Sequence, residues 1–206
     1  MQIGSVEYIE FYKKQVCDLL SRVKREGIDN LLAYLDESGF YNCPASQYFH
    51  ANHPGGLAYH SYNLCKIALA YVKLHKLNIS EESVIISAIC HDLCKIGNYK
   101  LETKWQKDRN NKWESYLTYG NNNISSVQHG PQSALIAARF IRLTPEEEQA
   151  ICWHMGAYGQ SDADNRAMGN AMKDNPLVLI IQQADMASAY FYEECYDRDK
   201  IPGLNF

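Results

Sequence analysis

The chain has 206 residues, 46% of them hydrophobic and 21% charged, the balance of a folded globular protein with a core of its own and not of a disordered chain. A formal net charge of −4 argues against a protein that grips long duplex nucleic acid through its phosphates. Seven cysteines without a CxxC pair read as reduced interior thiols, and with no secretory leader or membrane-length apolar run in view, a cytoplasmic protein without a membrane partner is expected.

Helical periodicity begins at Val6 and carries Ile9, Val16, Leu19, Leu20 and Val23 on one stripe through Arg25, with Gly27 as the stop. A shorter helix over Ile28–Ser38 follows, with Asp29 as cap and Gly39 as terminator, and Phe40–His53 reads as a loop. Pro54-Gly55-Gly56 then punctuates the chain before a helix over Leu57–Leu77 that holds His60 in its first turns. Ser80-Glu81-Glu82 is a cap with acidic first-turn residues, and the helix it starts runs through Ile85, Ile86 and Ile89 into His91-Asp92.

Residues 99–124 change character. They are polar and aromatic, with Trp105, Trp113, Tyr116 and Tyr119, and Asp108–Lys112 reads as a turn between two short strands. Gly120–Asn123 reads as a loop. Helices are then expected over Gln132–Ile141, from Thr144-Pro145 to near His154, and from Asn175-Pro176 through Asp185. Met155–Lys173, rich in Gly, Asp and Asn, reads as a loop with a short helix, and the tail from Tyr196 as a loose end. The expected architecture is one all-α domain, a bundle of about six to eight helices with a small β-hairpin-like insertion.

His60, His91, Asp92, His129, His154 and Asp185 stand at helix ends or on apolar helix faces. Ionisable groups beside apolar runs are costly to bury without compensation. Imidazole and carboxylate are good ligands for divalent cations, so helices converging on one core would turn these residues into a metal site.

The ordered pattern His60, His91-Asp92, Asp185 resembles the HD superfamily of metal-dependent phosphohydrolases. Gly55-Gly56-Leu57-Ala58-Tyr59-His60-Ser61 is similar to the family's GGLxxHS/T, and His91-Asp92-Leu93-Cys94-Lys95-Ile96-Gly97 to its HD(I/L)xK(I/V)G. Gln128-His129-Gly130, Ile151-Cys152-Trp153-His154 and Ala184-Asp185-Met186-Ala187-Ser188-Ala189 resemble the remaining ligand motifs of its six-ligand, dinuclear subset. The likeness spans 45–195, preceded by N-terminal helices over 1–42. It is nearest to the HD domain of bacterial 3′–5′ exonucleases, which share the Gly-Gly-Leu turn, the strand-like insertion and the ligand order. The chain leaves no room for the OB-fold domain those exonucleases carry before the HD domain, and it has His154-Met155 where they often have two histidines. No GYP motif accompanies the HD pair, which argues against the cyclic di-GMP hydrolases of the HD-GYP type.

The resemblance implies two divalent ions (Mn, Fe, Co or Ni, with Mg a further candidate). Asp92 would bridge them, with His60, His91 and Asp185 on one and His129 and His154 on the other. It implies hydrolysis of a phosphoester in a nucleotide, dinucleotide or short oligonucleotide by a metal-activated hydroxide, with Lys95 neutralising phosphate charge. Tyr158, Arg166 and Lys173 are candidate substrate contacts, as are the insertion's aromatics. His50 and His53, just before the Gly-Gly turn, are candidates to border the site but read first as ordinary loop histidines, and His75 as a surface residue. Two other readings stand beside this one: an HD-type di-iron oxygenase, and a non-catalytic HD module that binds nucleotide.

Overall fold

The computed structural model describes residues 1–122, 126–157 and 161–204. Among these the chain is mostly helical. The N-terminal helices are α1 (Val6–Leu20) and α2 (Ile28–Glu37), followed by α3 (Gly56–Leu74) and α4 (Glu81–Cys90). A hairpin of β1 (Tyr99–Lys107) and β2 (Trp113–Asn121) intervenes, then α5 (His129–Ala137), α6 (Pro145–Trp153), α7 (Asp162–Asp174) and α8 (Pro176–Phe191). No helix among the described residues is long and apolar enough to cross a membrane.

Burial of apolar stripes assembles the helices. α3 packs against α1, α4 and α8, and α6 packs against α4, α5 and α8. Leu57, Leu64, Ile85, Ile86, Ile89, Ile151 and Ile181 interdigitate in one core and are fully buried, each side chain contributing about 1.5–3 kcal/mol. Every residue of α4 from Val84 to Cys90 is buried. A helix apolar all round belongs in the interior, and this one delivers His91 and Asp92 into the core.

Local signals set the helix starts. Ser80 Oγ accepts from Ser83 N at 3.0 Å, and Asn175 Oδ1 accepts from Leu177 N at 3.1 Å. Thr144 and Glu147 form a reciprocal capping box at the start of α6. Fully buried Glu147 also receives Arg25 in a two-pronged ion pair, at 2.7 and 2.9 Å, which ties α6 to the segment after α1.

Asp29 does not cap α2, whose cap is Gly27 with no side-chain bond, α5 spans His129–Ala137 and not Gln132–Ile141, and four further expectations change. The first helix stops at Leu20, well before Gly27, which instead opens α2 with φ +91°. α7 is a helix of 13 residues where a loop with a short helix was expected. A Ser161–Asp164 capping box starts it, but only Met168 on it is buried, so it carries almost no apolar periodicity. Gly120 and Asn121 complete β2, and Asn123 lies outside the described residues. The tail is not loose: Ile201 and Leu204 are buried against Tyr119, and Gln106 Nε2 donates to Asp199 Oδ2 at 2.8 Å. An isolated hairpin is marginal in water, and this docking supplies the apolar contact that a two-stranded ribbon lacks.

The approach of α5 to α6 is set by Gly130. A Cβ there would stand 2.1 Å from the Cys152 carbonyl oxygen and 2.7 Å from that of Ile151. Contact this close brings His129, at the start of α5, beside His154, at the end of α6, with ring centroids 5.4 Å apart. Gly130→Ala is expected to destabilise the protein by about 1–3 kcal/mol in urea denaturation. Gly169→Ala, in α7 with nothing within 4 Å of the added carbon, is expected to stabilise it by about 0.4–1 kcal/mol.

Candidate metal centre

Six residues predicted as ligands arrive from five directions. His60 lies in the second turn of α3, His91 and Asp92 directly follow α4, and His129 is the first residue of α5. His154 directly follows α6, and Asp185 lies within α8. Asp92 leaves the helix with φ −116° and ψ 20°, and Lys95 closes the short 3-10 turn Leu93–Lys95 that follows. His60, His91, Asp92 and His154 are almost wholly buried, and Lys95 nearly so, while the His129 side chain keeps 31% of its exposure.

The two carboxylate oxygens of Asp92 face different groups. Oδ2 lies 3.0 Å from His91 Nε2, 2.6 Å from Lys95 Nζ and 3.8 Å from His60 Nε2. Oδ1 accepts a hydrogen bond from His129 Nε2 and lies 3.5 Å from His154 Nε2. On the Oδ2 side, His60 Nε2 is 3.1 Å from both Asp185 Oδ1 and His91 Nε2. Ligand atoms held about 2.1 Å from a common ion at right angles stand about 3.0 Å apart, and the His91–Asp92, His60–Asp185 and His60–His91 separations have that spacing.

The far sides of the rings fix their tautomers. His91 Nδ1 donates to the Ala88 carbonyl at 2.7 Å, and His154 Nδ1 to the Ile151 carbonyl at 2.7 Å. A carbonyl only accepts, so each Nδ1 carries a proton and each ring turns its Nε2 into the cluster. His154 Nε2 is buried there without a hydrogen-bond partner. His60 Nδ1 donates to Glu193, 2.9 and 3.1 Å from its two oxygens, and Ser188 Oγ donates to Glu193 Oε1. Carbonyls and a carboxylate behind the rings are the partners that orient metal-binding histidines.

Electrostatics show the same demand for positive charge. Burial opposes a charged His60, yet Glu193 and Asp185 prevail and raise its pKa to about 10. Burial likewise opposes charge on His154, and Asp92 overcomes it and raises that pKa too. Burial lowers the His91 pKa, against the pull of Asp92. Burial pushes the Asp92 carboxyl up, but His91, Lys95 and His129 hold it well below the usual carboxylate range. Asp185 is lowered in the same way, against burial, by His60.

Buried His/Asp groups of this geometry could hold a metal ion. Ligand atoms lie within 4.8 Å of one another in His60–His91–Asp185, in His91–Asp92–His154, in Asp92–Cys94–His129 and in His50–His60–Glu193. No protein-family model, curated protein or solved structure matches the chain.

Not every predicted contact joins the cluster. Arg166 and Lys173 are exposed on α7, with no hydrogen bond or ion pair to any of the ligands. Tyr158 lies outside the described residues. Trp105 and Trp113 are exposed on the hairpin, Tyr119 is buried under the tail, and Tyr99 is close enough for Lys95 and Asp92 to act on its hydroxyl. His75 is exposed, and His53 is a buried ring with Nδ1 3.0 Å from the Pro54 carbonyl.

Two residues escaped the sequence reading. Glu193 sits in a polar stretch past α8, and its partner His60 is 133 residues away, so only its closeness to Asp185 in the chain hinted at it. His50 read first as a loop histidine, yet its ring centroid lies 4.9 Å from that of His60. Burial, with His60 and Lys95 nearby, lowers its pKa to about 4 and leaves it neutral.

Metal uptake must displace the proton on His60. Below the raised pKa of about 10, apparent affinity is therefore expected to rise about tenfold per pH unit for each proton displaced. Calorimetry of Mn²⁺ binding in buffers of different ionisation enthalpy checks this by counting the protons released. Glu193→Gln removes the charge behind His60 and is expected to weaken Mn²⁺ binding about 10–100-fold, measured by competition with a chelator.

Proposed function

We propose that the protein is a metal-dependent phosphohydrolase of the HD type, which cleaves a phosphoester bond of a nucleotide, dinucleotide or short oligonucleotide. The observation that carries this reading is the division of labour at Asp92. Its Oδ2 faces the His60–His91–Asp185 group and its Oδ1 faces His129 and His154. Such a carboxylate would suit a pair of ions, and His60, His91 and Asp185 would hold one while His129 and His154 held the other. The ordered motifs that resemble the HD superfamily add to the reading.

When bound, a pair of divalent ions supplies a water acidified enough to attack phosphorus near neutral pH, together with charge that stabilises the phosphoryl oxygens. The chain's own residues prepare the place. Asp92, held ionised by its cationic surroundings, keeps its two oxygens directed to the two halves. The Ala88 and Ile151 carbonyls keep His91 and His154 in the tautomer that presents Nε2. Lys95, buried and in contact with Asp92 Oδ2, stands one short turn from the halves' shared edge, positioned to neutralise charge that builds on a transferring phosphoryl group. Burial at Asp92 excludes bulk water and strengthens these interactions.

Purified protein reconstituted with Mn²⁺ is expected to hydrolyse bis-p-nitrophenyl phosphate and then a subset of nucleotides, without consuming oxygen. Consumption of oxygen by the Fe²⁺ form, with no phosphodiesterase activity under any metal, would instead favour the di-iron oxygenase. Asp92→Ala is expected to abolish turnover and lower metal content. Lys95→Met is expected to keep metal content and lower kcat about 10²–10³-fold. Wild-type rates from Asp92→Ala would sink the proposal.

A further inference from the structure

The loop that leads into α3 is held more tightly than an ordinary connection. Ser46 Oγ donates to the His50 carbonyl at 2.8 Å and accepts from Phe49 N at 2.9 Å. Ala51 N donates to the Glu194 carbonyl at 2.8 Å, and the Ala51 carbonyl accepts from Ala45 N at 3.1 Å. Ala51 itself is fully buried with φ +44°, in the left-handed region that residues with a Cβ avoid. Gly56 lets this loop press onto α3, since a Cβ there would stand 1.9 Å from the Ala51 oxygen. Backbone of this kind persists only where its surroundings over-determine it, and it concentrates at ligand-holding sites.

What the scaffold presents is the His50 imidazole. Its ring lies 4.9 Å from the His60 ring, tilted by 35°. Its Nε2 is buried with no hydrogen-bond partner, and among the described residues no hydrogen bond reaches either ring nitrogen. Lys95 Nζ, 2.6 Å from Asp92 Oδ2, is a cation of the same cluster. A buried polar atom without a partner calls for a ligand to satisfy it. An ion between His50 and Glu193 is disfavoured, because the His60 nitrogen on that side already donates its proton to Glu193. A ligand oxygen meets no such obstacle: an imidazole always offers at least one N–H, and the Lys95 ammonium is the matching cation.

We propose that His50 is a substrate-binding residue whose imidazole donates a hydrogen bond to an anionic phosphoryl oxygen beside the His60–His91–Asp185 group, with Lys95 as the cation of that cluster. This rests on the phosphohydrolase reading above. The substrate would then be gripped by a neutral donor from the loop and by a cation from the turn after α4, in addition to any ions.

The test uses the full chain loaded with Mn²⁺ and compares wild type, His50→Leu and His50→Gln. Three quantities are measured: metal stoichiometry, affinity for inorganic phosphate by ³¹P relaxation, and kcat and KM on bis-p-nitrophenyl phosphate. His50→Leu is expected to keep the metal and the melting temperature, lose phosphate affinity about tenfold and raise KM to match. His50→Gln, which returns an N–H donor, is expected to recover part of the loss. A loss of metal from His50→Leu would make His50 a ligand and overturn the proposal. A loss of melting temperature with phosphate affinity unchanged would make it structural and overturn it equally. An active wild type with an equally active His50→Leu would refute this inference alone. A wild type that neither binds phosphate nor hydrolyses phosphoesters would bring down the reading beneath it as well.

Discussion

Asp92 is a carboxylate kept ionised with 2% of its surface exposed. An isolated charge in that position is prohibitively costly, so its surroundings must supply positive charge and hydrogen-bond donors from several directions. The buried helix α4 carries it into the core, and no side of it faces water. Lys95 comes from the next turn, His91 from the adjacent residue, and His129 and His154 from helices that reach the spot through long-range packing. The bundle is arranged so that α3, α5, α6 and α8 each bring a group to this point. Loss of any one leaves the others less well compensated, which couples the integrity of the fold to that of the site.

His91 and His154 are two uses of one local device. Both immediately follow an α-helix, both have φ −57° and ψ −33°, and both donate from Nδ1 to the carbonyl three residues earlier. The helix end itself thereby sets the tautomer and aims Nε2 outward, with no help from distant residues. His60 cannot use this device, because it sits within α3 where carbonyls are already engaged. Its Nδ1 is satisfied by Glu193 instead, from beyond the end of α8, and Ser188 holds that carboxylate in place. The result is a ring with a full negative charge behind it, distinct in basicity from His91, which faces it at 3.1 Å.

Electrostatic asymmetry follows from these supports. The His60 side contains Asp185 and Glu193 in addition to Asp92, whereas on the His129 side Asp92 is in direct contact and Asp185 acts on His154 from further off. His129 also retains the most exposure of the histidines in the cluster. The half with more carboxylates is the more strongly cation-attracting, and His129, with 31% of its side chain exposed against 18% for Asp185, makes the other half the more open to solvent.

The amino-acid sequence by itself determined the features that are encoded within a few neighbouring residues. The caps at Ser80, Thr144 and Asn175, the hairpin turn at Asp108–Lys112, the apolar run into His91-Asp92 and the identity of the candidate ligands are all of this kind, because each depends on spacing within one or two helical turns. α7 was only half legible, since its capping box is local but its exposed face has no apolar period. Tertiary structure alone decided which oxygen of Asp92 faces which histidines, that Glu193 backs His60, that His50 turns inward, and that Ile201 and Leu204 cover the hairpin at Tyr119. These pairings join residues remote in the chain, and their energies come from burial and from mutual compensation of charge. Neither leaves a periodic trace in the sequence; both exist only once the helices have packed.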